Sequence, residues 1–251
     1  MNKTTTAPKV ALITGGARRI GAAIAERLHH QGFDVFIHCR HSITEAQALA
    51  DQLNRLRPHS AHVLLADLAN LDHIATLTSR LQAQTSRLDL LVNNASSFYP
   101  TEIGNANEAQ WDDLFSSNAK APFFLSQALT EILTNSNGCI INIADIHGDR
   151  PLKKHTIYSM AKAANIMLTK SLALELAPHV RVNGIAPGAI LWPEQEASLD
   201  HTEQQNILTK IPLGCSGAPE NIAACVEFLS TDNNYITGQI INVDGGRALS
   251  N

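Results

Sequence analysis

Apolar residues along this chain form short unbroken runs, separated by longer stretches in which they recur every three or four positions. The runs Val10–Thr14, Asp34–His38, His62–Ala66, Leu88–Val92, Cys139–Ile143, Val180–Ile185 and Gln239–Val243 predict seven strands buried on both faces. Between the first two, Ile20, Ile24 and Leu28 stand four apart and stack on one side of a helix. Further helices are expected over 43–57, 70–86, 107–134, 156–177 and 219–230. This alternation is the pattern of repeated β-α units around a parallel sheet, an α/β fold. No linker, low-complexity tract or repeat of fixed period divides the chain, so 1–251 reads as a single domain with 1–8 as a flexible tail. In an open parallel sheet ligands bind beyond the carboxyl ends of the strands, where the strand order reverses. Functional residues are therefore sought just after each strand.

Composition narrows the classes. The chain is 44% hydrophobic and 17% charged, and 19 basic against 23 acidic residues leave a net charge of −4. That balance suits a globular protein and lacks the basic excess that nucleic-acid binding needs. No apolar stretch approaches the ~18 residues of a membrane span, and the opening MNKTTTAPK lacks the apolar core of a secretion signal, so no membrane association and a cytoplasmic location are expected. Cys39, Cys139, Cys215 and Cys225 are widely spaced without a Cys-x-x-Cys, which favours reduced, mostly buried thiols over a disulfide or zinc framework, and no metal is expected.

The first strand runs into Thr14-Gly15-Gly16-Ala17-Arg18-Arg19-Ile20-Gly21. Glycines at a strand-to-helix turn let backbone N–H groups and the positive helix end meet a pyrophosphate. The bland alternative is a tight turn without a ligand. Two arginines in a first helical turn oppose the macrodipole at a cost of roughly 0.3–1 kcal/mol each, which an anion would offset. After the second strand comes His38-Cys39-Arg40-His41-Ser42, with no carboxylate for ribose hydroxyls but donors and charge for a 2′-phosphate. With Arg18 this favours NADP(H), against the alternative of a solvated basic turn. Asp67, after the third strand, is either an acceptor for an adenine amino group or the cap of the next helix.

At the other end stand Asp145 and Tyr158-x-x-x-Lys162, whose phenol and ammonium share a helical face. A phenol titrates near ~10, so as a proton donor or acceptor at neutral pH it gains from an ammonium that stabilises the phenolate. Asp145 could instead only cap a strand end, and a Tyr-x-x-x-Lys alone is usually structural.

Together, Thr14-Gly15, Asn93-Asn94-Ala95, Asn118, Tyr158-x-x-x-Lys162, Pro187-Gly188 and Asp244-Gly245-Gly246 resemble the short-chain dehydrogenase/reductase family, in order and over essentially the whole chain. The resemblance implies a Rossmann-like doubly wound seven-stranded sheet, a nicotinamide cofactor and a homotetramer. It implies Tyr158 as proton donor, Lys162 as its electrostatic partner and ribose ligand, and Asn118 as anchor of a water relay. Asn118 also stands out locally, since with Ser116 and Ser117 it interrupts an otherwise helical run. Along the cofactor the resemblance places Gly15, Arg18, Arg19, Ile20, His38, Arg40, His41, Ser42, Asp67, Leu68, Asn94, Ala95, Ser96, Lys162, Pro187 and Gly188.

Three departures refine it. Arg19 replaces a usual glycine, Ser96 replaces the glycine of Asn-Asn-Ala-Gly, and Asp145, thirteen residues before Tyr158, replaces the usual catalytic serine. These are similar to the pteridine reductases and their dihydromonapterin-reducing relatives. The likeness implies NADPH-dependent reduction of a pterin, with Asp145, Tyr158 and Lys162 catalytic and Ser96 and Phe98 in the substrate site. A flat pterin fits between a nicotinamide and an aromatic face such as Phe98, although an isolated phenylalanine is more often core or lid. His147 and His155 read as bystanders or substrate-edge contacts. Ile190–Ser198, with Trp192, Pro193 and Glu194, reads as a mobile lid, with Trp192 on the substrate. The alternatives are a carbonyl reductase of 3-oxoacyl type and an NADP(H)-binding sensor without turnover.

Overall fold

The computed structural model describes residues 7–192, 200–230 and 235–250. Strands β1 (Val10–Ile13), β2 (Asp34–Cys39), β3 (Ala61–Leu65), β4 (Leu90–Asn93), β5 (Cys139–Ile143), β6 (Arg181–Pro187) and β7 (Ile240–Val243) form one sheet in the order β3-β2-β1-β4-β5-β6-β7. Every pairing is parallel. The chain winds outward from β1 to β3, then returns to pair β4 with β1, Ala11 opposite Leu90 and Ile13 opposite Val92. That reversal opens a crevice beyond the carboxyl ends of β1 and β4. The ends of the expected strands move by one or two residues.

Helices α1 (Arg19–His30), α2 (Ile43–Leu56), α3 (Leu71–Gln82), α4 (Glu108–Phe115), α5 (Ala121–Ala128), α6 (Thr130–Asn135), α7 (Thr156–Glu175), α8 (His201–Leu208) and α9 (Pro219–Ser230) surround the sheet. Successive strand residues point to opposite faces, so one sheet feeds two cores. Ile13, Ile37, Val92 and Ile141 pack with α1, α2 and α9 through Ile24, Leu53 and Val226. Leu12, Phe36, Leu91 and Ile140 pack with α3, α5 and α6 through Leu77, Leu125 and Leu133.

The expected continuous helix over 107–134 is broken. It opens with a reciprocal cap between Asn107 and Gln110, then passes through a π turn at Ser116–Lys120 and breaks again at Leu129. Side chains compete for the carbonyls there: Ser117 Oγ donates to Asp113 O at 2.9 Å and Asn118 Nδ2 to Leu114 O at 2.9 Å. Pro122 has no N–H to offer Asn118 O, which accepts instead from Asn165 Nδ2 at 2.9 Å. α8 was not expected, although Asp200 and Glu203 cap its start reciprocally. All four cysteines are free. Cys39 and Cys139 are buried, Cys225 is partly so and Cys215 is exposed. Among the described residues no helix is long and apolar enough to cross a membrane, and no cluster of His, Cys, Asp and Glu could hold a metal. Residues 1–6 of the expected tail lie outside the described residues.

Candidate active site

A cleft of about 1010 Å³ follows the carboxyl edge of the sheet. At its β1 end Thr14 ties two loops together. Its Oγ1 accepts from the N–H groups of Asn94 and Ala95, both at 2.9 Å, while Asn94 Nδ2 donates to Thr14 O at 2.8 Å and Gly15 O at 3.1 Å. Gly21 lets α1 press onto this turn, since a Cβ there would lie 2.1 Å from Gly15 O. No side chain caps α1 and no acid stands in its first turn, so its N–H groups and positive end face the cleft unneutralised. Arg19 keeps a left-handed φ of 55°, the conformation a glycine adopts without strain. Its guanidinium donates to Trp192 O at 3.2 Å.

Beyond β2, Arg40 lies 4.0 Å from Asp67 and 3.9 Å from Asp113, and Arg18 lies 3.7 Å from Glu45. These pairs are long and exposed, worth ~0–1 kcal/mol, and leave both guanidinium groups able to turn to a phosphate. His41 and Ser42 line the same wall. His38 does not act as a donor to the cleft. It is buried, with Nδ1 accepting from Gly15 N–H at 3.2 Å and Nε2 bonded to Ala66 O at 3.1 Å, and burial lowers its pKa to about 4. It is therefore a neutral strut beneath the glycine turn. Asp67 does not cap α3. Asn70 does so, accepting from the N–H groups of Asp72 and His73, and Asp67 remains on the cleft wall.

The reacting end is built from β5, β6 and α7. Tyr158 donates its hydroxyl to Asp145 Oδ2 at 2.7 Å, and Asp145 Oδ1 accepts from His147 N–H at 2.8 Å. Gly148 brings this turn onto α7, since a Cβ there would lie 2.7 Å from Ile166 Cδ1 and 2.9 Å from the Lys162 carbonyl carbon. Lys162 is buried, donates to Ile143 O at 2.9 Å and sits 5.7 Å from the Tyr158 ring centre. Burial lowers its pKa to about 8. The expected depression of the phenol does not occur. Burial, then the Asp145 carboxylate, raise Tyr158 well above its ordinary value, because its hydroxyl faces the anion rather than the ammonium. Tyr158 is thus held in its protonated form at neutral pH.

Phe98 stacks on His155 at 4.7 Å and meets Tyr158 edge-on at 4.8 Å. His155 is therefore part of the aromatic wall, and burial lowers its pKa. Asn118 is buried behind the cleft rather than in its lining. Its Nδ2 donates to Ser97 O at 3.0 Å, and Ser117 Oγ accepts from Ser97 N–H at 3.1 Å, so the π turn grips the loop that carries Ser96 and Phe98. A line of amides leads back from it: Asn165 Nδ2 to Asn118 O, Thr169 Oγ1 to Asn165 O, Asn142 Nδ2 to Thr169 Oγ1 and Asn93 Nδ2 to Asn142 Oδ1, all between 2.8 and 2.9 Å.

Gly15, Ile20, His38, Leu68, Ala95, Ser96, Pro187, Gly188 and Trp192 also line the cleft. Of the expected lid, Ile190 is anchored in the core and Trp192 is half-buried, while Pro193, Glu194 and the remainder to Ser198 lie outside the described residues. The sequence reading missed Asp113, Ser117, Leu152, Ile207 and Arg247 in the lining. Arg247 carried a signal, as it directly follows the Asp244-Gly245-Gly246 turn at the end of a strand. The others had no local signal, since pairing across elements brings them in.

A family model described as enoyl-(acyl carrier protein) reductase matches residues 15–248. Pteridine reductase 1 of Leishmania tarentolae is 38% identical, covering 100% of this chain and 99% of that protein. The 3-oxoacyl-[acyl-carrier-protein] reductase FabG of Staphylococcus aureus strain Mu50 is 34% identical over 95% of this chain and 97% of its own. The uncharacterized oxidoreductase YmfI of Bacillus subtilis is 32% identical over 95% and 98%.

Proposed function

The chain belongs to the short-chain dehydrogenase/reductase family, and on that premise we propose that it is an NADPH-dependent pteridine reductase, converting a dihydropterin or pterin to its tetrahydro form. The observation that carries this reading is the hydrogen bond from Tyr158 to Asp145, which puts a carboxylate where reduction of a ketone would use a serine hydroxyl. The resemblance to pteridine reductase 1 supports it.

The cleft suits NADPH. The uncapped start of α1 with Arg18 and Arg19 would hold the pyrophosphate, Arg40, His41 and Ser42 the 2′-phosphate, and Lys162 the nicotinamide ribose. A reduced nicotinamide held there would supply the hydride for a ring carbon of a C=N bond. The protein supplies the proton to the adjacent nitrogen. Tyr158, protonated at neutral pH, is the donor, Asp145 aims its hydroxyl, and Phe98 with His155 forms the flat wall that keeps water off the ring. Lys162 supplies the nearby charge that offsets the phenolate as the proton leaves.

The likeness to the Staphylococcus aureus 3-oxoacyl reductase supports a second reading, a carbonyl reductase. NADPH oxidation measured with dihydrobiopterin, dihydromonapterin, dihydrofolate and an acetoacetyl thioester separates the two. Pterin turnover should lead, and Tyr158→Phe and Asp145→Ala should each reduce it by roughly 10²–10⁴-fold, the span of a lost general acid, with NADPH still bound. A wild-type rate in Asp145→Ala, or preference for the thioester, overturns the pterin assignment. A cytoplasmic homotetramer completes the proposal.

A further inference from the structure

We propose that Arg247 forms an anion-binding subsite at the reacting end of the cleft, taking a carboxylate or phosphate carried on the side chain of the substrate. The four cleft arginines divide by position. Arg18, Arg19 and Arg40 gather around the starts of α1 and α2, whereas Arg247 sits on the short 3-10 turn Arg247–Leu249 that follows β7. That turn lies against the catalytic corner. A Cβ on Gly188 would fall 2.7 Å from Asp244 Cα, Ala248 packs with Ala144, Ile146 and Ala186, and Arg150 donates to the carbonyls of Ala248 and Ser250.

The other charges nearby are committed. Asp244 accepts from the N–H groups of Gly246 at 2.9 Å and Ala248 at 2.7 Å, Lys162 donates to Ile143 O, and Lys154 pairs with Glu102 at 2.7 Å. Glu203 of α8, also on the cleft wall, accepts from Asp200 N–H at 2.9 Å. Arg247 has no ion pair or side-chain hydrogen bond among the described residues, although it is half-buried and lines the cleft. Burial pushes its pKa below the ordinary value, with the Asp145 and Asp244 charges opposing that shift. A guanidinium partly stripped of water and left without a partner gains strongly when a two-oxygen anion docks on its fork. Hydride and proton transfer leave this group nothing to do, so its role lies in choosing substrates with an acidic tail.

The inference takes its first substrate pair from the pterin reading, and the test separates the two. KM is measured for dihydrofolate, whose tail carries carboxylates, and for dihydrobiopterin, whose tail is neutral, in the wild type, Arg247→Gln and Arg247→Lys. The dihydrofolate to dihydrobiopterin KM ratio should rise about tenfold in Arg247→Gln, the loss of one charged contact, and less in Arg247→Lys. If no pterin is turned over, the pterin reading falls. The same ratio is then taken for acetoacetyl-coenzyme A, with its phosphates, against neutral acetoacetyl-N-acetylcysteamine. A rise in Arg247→Gln upholds the subsite, and a ratio within twofold of wild type in both variants for the substrates turned over overturns it.

Discussion

His38 illustrates how one side chain can shape a site through the main chain it holds. Its Nδ1 can accept from Gly15 N–H only while unprotonated, so the glycine turn rests on a neutral ring. Its pKa is 6.5 when unfolded and about 4 when folded. Between those values the unfolded chain binds a proton that the folded one refuses. The stability tied to this group is therefore complete above pH 6.5 and is lost as pH falls toward 4, about 3 kcal/mol at most. Thermal melts from pH 7 to pH 4 should show a steeper fall for the wild type than for His38→Gln; equal slopes would place the acid sensitivity elsewhere. The resemblance marked His38 as a cofactor contact, and the residue lines the cleft. What the sequence lacked was the third dimension, in which Gly15 and Ala66 close on both ring nitrogens.

At the scale of elements, the 3-10 turn Ile146–Gly148 and α7 behave as one unit, because Gly148 lies flush against the Lys162 backbone. Gly148→Ala would force 2.7–2.9 Å contacts, one of them with main chain, and lift the turn that carries Asp145. Stability should fall by about 1–3 kcal/mol, as for an overpacked core, and kcat should fall at least tenfold with the Asp145 to Tyr158 contact lengthened. Steady-state rates beside a denaturant midpoint measure both. The strands and α1 were legible because apolar runs and the Ile20, Ile24, Leu28 spacing report burial directly. The break at Ser116–Lys120 was half legible: Asn118 looked out of place, but Asn165, which takes its carbonyl, stands 47 residues away. The Asp145, Tyr158 and Lys162 trio could be named through the family resemblance, to which the shared helical face of Tyr158 and Lys162 added only local support. The orientation of the hydroxyl could not, since it depends on a turn held by Gly148.

For the whole molecule, the outer surface bears on the proposed tetramer. Met160, Met167 and Leu174 follow one another at seven-residue intervals along α7 and are 46%, 62% and 83% exposed, with Phe123 of α5 40% exposed. A stripe of this kind calls for a cover, which a second copy of the helix would provide. Light scattering should give about four times the 27.1 kDa chain, and Met167→Glu with Leu174→Glu should yield smaller species that still melt cooperatively. A wild-type monomer would refute the tetramer. Deeper inside, the line of amides from Asn93 through Asn142, Thr169 and Asn165 to Asn118 binds the fates of those positions over generations. Replacing Asn93, Asn142, Thr169 or Asn165 alone strands a buried partner at ~1–3 kcal/mol, whereas Asn118 takes part through its main-chain carbonyl. Drift can enter this stretch only by compensated changes, and descendants of the chain should inherit those four residues as a block even though none of them lines the cleft.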